Sequence, residues 1–253
     1  MSKSISALLL SLACAWPLLA DEHPAYSVRD LEVTPEFIIR DFCLYTYSDA
    51  YLMGYSRLLY TGKQPVDYVR LECHFYRRGL AAGTAELYGD YGTYGQSGMR
   101  PGRENYFSSI LHRTEFDSIA FSISYESSTG MKPLLNKEGL QVLRTRTMRY
   151  AAGEKIVGQV RNSSRALIAY PSVLICFYKG GQMVQYQRAF ADVPGHCLQP
   201  GESATFYCYI DPMPYDEVIY LSNTAVPQQS SQHLHPAGMQ TAGNPVLFYL
   251  SEI

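Results

Sequence analysis

Strong net charge is missing from this chain. Its 21 Lys and Arg nearly balance 23 Asp and Glu, giving a formal charge of -2. There is thus no electrostatic case for a nucleic-acid partner. C-x-x-C is absent, which excludes the thioredoxin type of redox motif. A G-x-S-x-G elbow, an H-E-x-x-H pair and a Gly-rich phosphate loop after a strand are also absent. No stretch sustains a 3.6-residue apolar period with helix caps. Beyond the N-terminus, no segment is apolar enough to span a bilayer, so the mature chain is expected to hold no transmembrane segment.

What is present begins with MSKSISALLLSLACAWPLLADEH. Lys3, the apolar run from Ile5 to Ala20 and the following Asp21 and Glu22 form a signal-peptide pattern. Residues 1–20 are expected to be removed after Ala20, leaving an exported chain in the periplasm or outside the cell. A membrane anchor fits less well, because Trp16-Pro17 interrupts a run already short for a span. Lipidation at Cys14 fits poorly too, because Ser11-Leu12-Ala13 is a weak lipobox and the apolar run continues past the Cys.

The remainder repeats itself. FIIRDFCLYTYSDAYLMGYSRLLYTGKQPVDYVRLECHFYRRG, from Phe37, aligns with QVLRTRTMRYAAGEKIVGQVRNSSRALIAYPSVLICFYKGG, from Gln141. Gly54 is set against Gly158, Arg57 against Arg161, and Phe75-Tyr76 against Phe177-Tyr178. Met99–Phe107 then matches Leu198–Phe206, and the hexapeptide from Phe116 matches the one from Tyr215. Each copy reads as β-structure. Val69, Leu71, Cys73 and Phe75 alternate with Arg70, Glu72, His74 and Tyr76, a half-buried strand. In the second copy Val173, Ile175 and Phe177 take the inward phase, while Leu174, Cys176 and Tyr178 form a less polar outer face. Thr61-Gly62, Lys179-Gly180-Gly181 and Pro200-Gly201 punctuate the strands. The 22 tyrosines fit the same picture.

The expected fold is all-β: two tandem antiparallel immunoglobulin-like sandwiches at 27–128 and 138–226, with a linker at 129–137. A polar tail at 227–253 ends in a short apolar strand, Pro245–Leu250, which docks on one of the sandwiches or on the edge of another chain.

The second copy resembles the bacterial immunoglobulin-like modules called FxLYD domains. The resemblance rests on Val157, Gly158, Val160 and Asn162, on Phe177-Tyr178 and Gly181, and on Leu198, Pro200, Gly201, Glu202 and Phe206. The first copy matches more loosely, with Met99 and Arg103 at two corner positions. The resemblance implies a non-catalytic envelope module and brings no catalytic residue or cofactor.

The chemistry-bearing residues are few. Without Cys14, five cysteines remain, an odd number for an exported chain. Cys43–Cys73 and Cys197–Cys208 are the preferred disulfides; buried unpaired thiols are the alternative. His196-Cys197 does not make a dyad, because neighbours on an extended chain point to opposite faces. His233 and His235 have H-x-H spacing, but a polar tail gives them no further ligand, so no metal site is expected. In LYGDYGTYGQSG, Tyr88, Tyr91 and Tyr94 each precede a Gly; the favoured reading is a loop that folds its tyrosines onto its own sheet, the alternative an aromatic loop that binds a glycan, peptide or protein. The expected function is a non-enzymatic envelope binding or structural module whose partner is another envelope protein or a glycan. A carbohydrate-binding module using the loop, or a thiol-dependent accessory factor, are the alternatives.

Overall fold

The computed structural model describes residues 25–90, 98–127, 139–150, 153–210, 213–224 and 240–249, the last segment as backbone only. Sixteen strands account for most of them. The first seven are β1 (Tyr26–Thr34), β2 (Phe37–Thr46), β3 (Tyr51–Tyr60), β4 (Val66–Arg77), β5 (Leu80–Gly89), β6 (Arg103–His112) and β7 (Ser118–Ser127). The next eight are β8 (Leu140–Tyr150), β9 (Gly153–Asn162), β10 (Ile168–Ala169), β11 (Pro171–Lys179), β12 (Gln182–Asp192), β13 (Cys197–Leu198), β14 (Ser203–Ile210) and β15 (Glu217–Thr224). The last is β16 (Gln240–Tyr249). Among the described residues no helix is long and apolar enough to cross a membrane.

All pairings within the main sheets are antiparallel, and the strands build two sandwiches, as expected from the alternating patterns. The first has strand order β1-β2-β3-β6-β5-β4-β7-β16. It folds into two walls because β5 and β6 pair only through Tyr88–Ser108 and Gly89–Phe107. The second has order β15-β11-β12-β14-β9-β8 and folds where Ala191 and Asp192 meet Phe206 and Thr205. Reading β2-β3-β6-β5-β4-β7 against β8-β9-β14-β12-β11-β15 gives the same order element by element. The repeat extends to fine detail. Arg78-Gly79 and Gly180-Gly181, all at positive φ, close equivalent two-residue hairpins. A bulge follows Phe75 in one copy and Phe177 in the other.

The tertiary register corrects one alignment. Phe107 faces Ser56, whereas its counterpart Phe206 faces Gly158. Ser56, not Gly54, is therefore equivalent to Gly158. The two-residue shift leaves every side chain on the face assigned to it, because strand periodicity is two. The corner turns agree: the Gly102 amide donates to the Tyr60 carbonyl at 2.8 Å, and the Gly201 amide to that of Asn162 at 2.7 Å.

Each sandwich buries its own core. Phe42 and Phe121, 4.8 Å apart in edge-to-face contact, lock the two walls of the first. Phe177, Phe206, Ile156 and Val173 fill the second. A Cβ added at Gly158 would lie 2.3 Å from the tip of the Phe206 ring. Gly158→Ala should therefore cost about 1–3 kcal/mol by overpacking. Ser56 already holds a side chain at the equivalent place, and its buried hydroxyl has no hydrogen-bond partner among the described residues. Ser56→Ala should thus be neutral or stabilise by up to about 1 kcal/mol. Urea denaturation of both variants checks the asymmetry; equal costs would remove the packing argument.

The C-terminal strand, left open between two docking sites, pairs antiparallel with β7, from Gln240–Tyr125 to Tyr249–Ser118. The first sandwich is thus closed by strands from both ends of the described chain, β1 and β16.

Candidate functional site

The two sandwiches meet face to face. The outward residues of β2, β3 and β6 pack on the outward residues of β11 and β12. Cys43, Tyr55 and Tyr106 from the first sandwich meet Leu174, Cys176, Tyr178 and Met183 from the second. This explains the weakly polar outer face of β11: it is an internal seam. Tyr186 is its hub. Its ring lies edge-on to Tyr55 and Tyr106, with centroids at 5.8 and 5.6 Å, and its hydroxyl shares a 3.1 Å hydrogen bond with that of Ser108.

Charges are fixed in the seam as well. Asp41, with a fully buried carboxylate, lies 2.6 Å from the Arg57 guanidinium and 3.6 Å from that of Arg29. Burial pushes its carboxyl above the usual range, and the two guanidiniums only partly offset this. Arg57 also lies 5.8 Å from the Tyr178 ring centroid, across the seam. Arg188 of β12 pairs with the Asp90 carboxylate through its Nε and Nη2, and its Nη1 donates to the Ser172 hydroxyl at 2.6 Å. Arg29 donates to the Gly181 carbonyl at 2.9 Å, and Gln182 to that of Phe42 at 3.3 Å.

The cysteines do not pair. Cys43, Cys73, Cys176, Cys197 and Cys208 are all free thiols, which corrects both expected disulfides. The reason is geometric. Cys73 points into the first core, whereas Cys43 points into the seam, its thiol 3.5 Å from the Met183 and Val184 carbonyls. Cys208 points into the second core opposite Ile156, whereas Cys197 sits on β13 against Ala169 of β10. Burial raises the thiol pKa of Cys43 and Cys73, that of Cys176 to about 12 and that of Cys208 to about 11. Such thiols are poor nucleophiles at neutral pH. His196 stacks on Tyr170, with centroids at 5.2 Å, and Cys197 is its chain neighbour only.

A thiol probe at pH 8 should label only the half-exposed Cys197 in the folded protein, and the other four after denaturation. Stability should also fall in alkali. Groups whose folded pKa is raised contribute fully below the unfolded values, about 8.5 for Cys and about 10 for Tyr. That contribution is lost as pH rises toward about 11–12, where Cys208, Cys176 and Tyr178 titrate in the fold. A melting temperature unchanged between neutral pH and pH 10 would contradict this.

Of the aromatic loop, Tyr88 is exposed at the end of β5 and Asp90 is held by Arg188. Tyr91 and Tyr94 lie outside the described residues, as do His233 and His235. At one end of the first sandwich, Arg77, Arg78 and Arg113 line an open depression of about 390 Å³. Glu115 pairs with Arg77, and Asp117 accepts from the Arg78 amide, so much of that charge is balanced locally.

The most distinctive surface was not picked out by sequence reasoning. It is the outer face of β8, β9 and β14. Along β14, Ala204, Phe206, Cys208 and Ile210 point in, and Thr205, Tyr207 and Tyr209 point out. Tyr207 and Tyr209 are 53% and 63% exposed, and Tyr150 of β8 is 55% exposed. The Lys155 ammonium lies 4.6 and 5.0 Å from the Tyr207 and Tyr209 ring centroids. The register places Arg146 and Met148 of β8 opposite Val157 and Lys155 on this face. A solvated face of an antiparallel sheet ordinarily carries polar residues; this one carries aromatic rings interleaved with cations. The signal was readable as Tyr207 and Tyr209 alternating with buried residues, but only with the strand's phase and exposure known. No protein-family model matches the chain, and no curated protein matches its sequence.

Proposed function

We propose that this chain is a non-enzymatic, exported interaction module whose partner binds the outer face of β8, β9 and β14. The observation that carries this reading is the set of exposed aromatic rings, Tyr207, Tyr209 and Tyr150, placed among cations on this face. Large rigid rings bury much area at little entropic cost, which suits them to recognition. Buried, weakly acidic thiols favour a structural role for the cysteines over a thiol-dependent one. The N-terminal apolar pattern and the resemblance to FxLYD modules support an envelope setting.

A photo-crosslinking residue at Tyr209, in cells, is expected to trap a discrete protein-sized species that the same residue at exposed Lys63 does not. Trapping nothing beyond the Lys63 control would remove this face as the binding surface. A glycan array, probed with the wild type and with Tyr88→Ala, tests the carbohydrate alternative.

A further inference from the structure

We infer that the partner of this face is a second copy of the chain, joined by a repetition of the chain's own seam; the inference rests on the reading that the face binds a partner. The seam is heterologous. The outer β2-β3-β6 face of the first sandwich covers the outer β11-β12 face of the second. Because the two sandwiches share one strand order, each has both kinds of face. One of each is used within the chain and one of each is left over. The unused pair is the β8-β9-β14 face, equivalent to β2-β3-β6, and the outer β4-β5-β7 face, equivalent to β11-β12.

Their chemistry is complementary. On β8-β9-β14 the outward positions include Arg146, Lys155 and Arg161 beside the aromatic rings. On β4-β5-β7 they include Asp67, Glu72, Glu86 and Glu126, against Arg70 and His74. Arg70 lies 3.6 Å from Glu86, and His74 is 2.7 Å from the Ser122 hydroxyl, so carboxylates still outnumber cations there. Like faces would set cation against cation, so the symmetric dimer through β8-β9-β14 is disfavoured. The unlike pairing places molecules in the same order as the sandwiches within one chain. A heterologous contact of this kind does not stop at a dimer; repeated head to tail, it grows into an open stack unless its rotation closes a ring.

The test is self-association of the purified protein, followed by sedimentation velocity from micromolar to millimolar concentration. Mass should rise continuously with concentration, without a plateau at a dimer, and fall with added salt. Arg146→Glu with Lys155→Glu should weaken association about tenfold or more, as should Glu72→Lys with Glu86→Lys. Mixing the two reversed proteins should restore association between unlike chains, which shows that neither has simply lost its fold. A protein that stays monomeric throughout, or association that neither reversal changes, overturns the inference. If the protein is monomeric yet a residue at Tyr209 still traps a distinct envelope protein, the inference falls and the binding reading stands. If neither occurs, both fall.

Discussion

Arg57→Ala is expected to destabilise the protein by about 3–5 kcal/mol, because it strands a buried charge. The Asp41 carboxylate has no exposed surface, and the Arg57 guanidinium at 2.6 Å is its closest opposite charge. Arg29, at 3.6 Å and half exposed, cannot replace it. The pH dependence follows from the direction of the shift. The Asp41 carboxyl is already raised by burial, and losing Arg57 raises it further. A carboxyl with a raised folded pKa is tolerated below its unfolded value of about 3.9 and destabilises as pH climbs through the folded value. The variant should therefore be closest to wild type in mild acid and worst at neutral pH. Asp41→Asn in the Arg57→Ala background should recover most of the loss, since it removes the charge and keeps the shape. Urea titrations of the four proteins form the double-mutant cycle. A cost of under about 1 kcal/mol would mean that the pair behaves as a solvated one.

Tyr186→Ala should cost about 3 kcal/mol and separate the two sandwiches in unfolding. Its ring touches Tyr55 and Tyr106 from the other sandwich. Truncation opens a hole where the seam is best packed. The wild type should unfold in one calorimetric transition and the variant in two, with a larger radius of gyration between them. Tyr186→Phe keeps the ring and loses only the bond to Ser108, so about 0.5–1.5 kcal/mol and a single transition are expected. Two transitions in the wild type would mean that the sandwiches fold independently and the seam is weak.

Much of this architecture was legible because a half-buried strand writes its own face assignment. Val69, Leu71, Cys73 and Phe75 are all in the core, as their alternation requires. The internal repeat was legible too, through turn residues that the backbone demands: Gly79 and Gly181 at positive φ, and Pro-Gly at both corners. A two-residue slip in the alignment escaped detection because it leaves alternation intact. The disulfide assignment failed for a related reason. Cys43 is apolar in character whether it faces a core or a seam, so its residue type says nothing about which. The face of Tyr207 and Tyr209 was hidden in the same way, since tyrosine suits both buried and wet positions.

The sequence by itself determined the secondary structure, the two-copy plan and the inward set of each strand. These depend on periodicity and turn chemistry, which act between near neighbours. Only the tertiary structure decided which outer faces are covered, that β16 returns to β7, and that none of the five described cysteines pairs with another. Those outcomes depend on contacts between strands more than a hundred residues apart, where one apolar outer face is buried and its equivalent on the other copy is left in water. VPGHCLQPGESATFYC, with Cys197 on β13 and Cys208 in the core, holds both kinds of information: its Pro-Gly corner belongs to the local pattern, and the fate of its two cysteines to the packing around it.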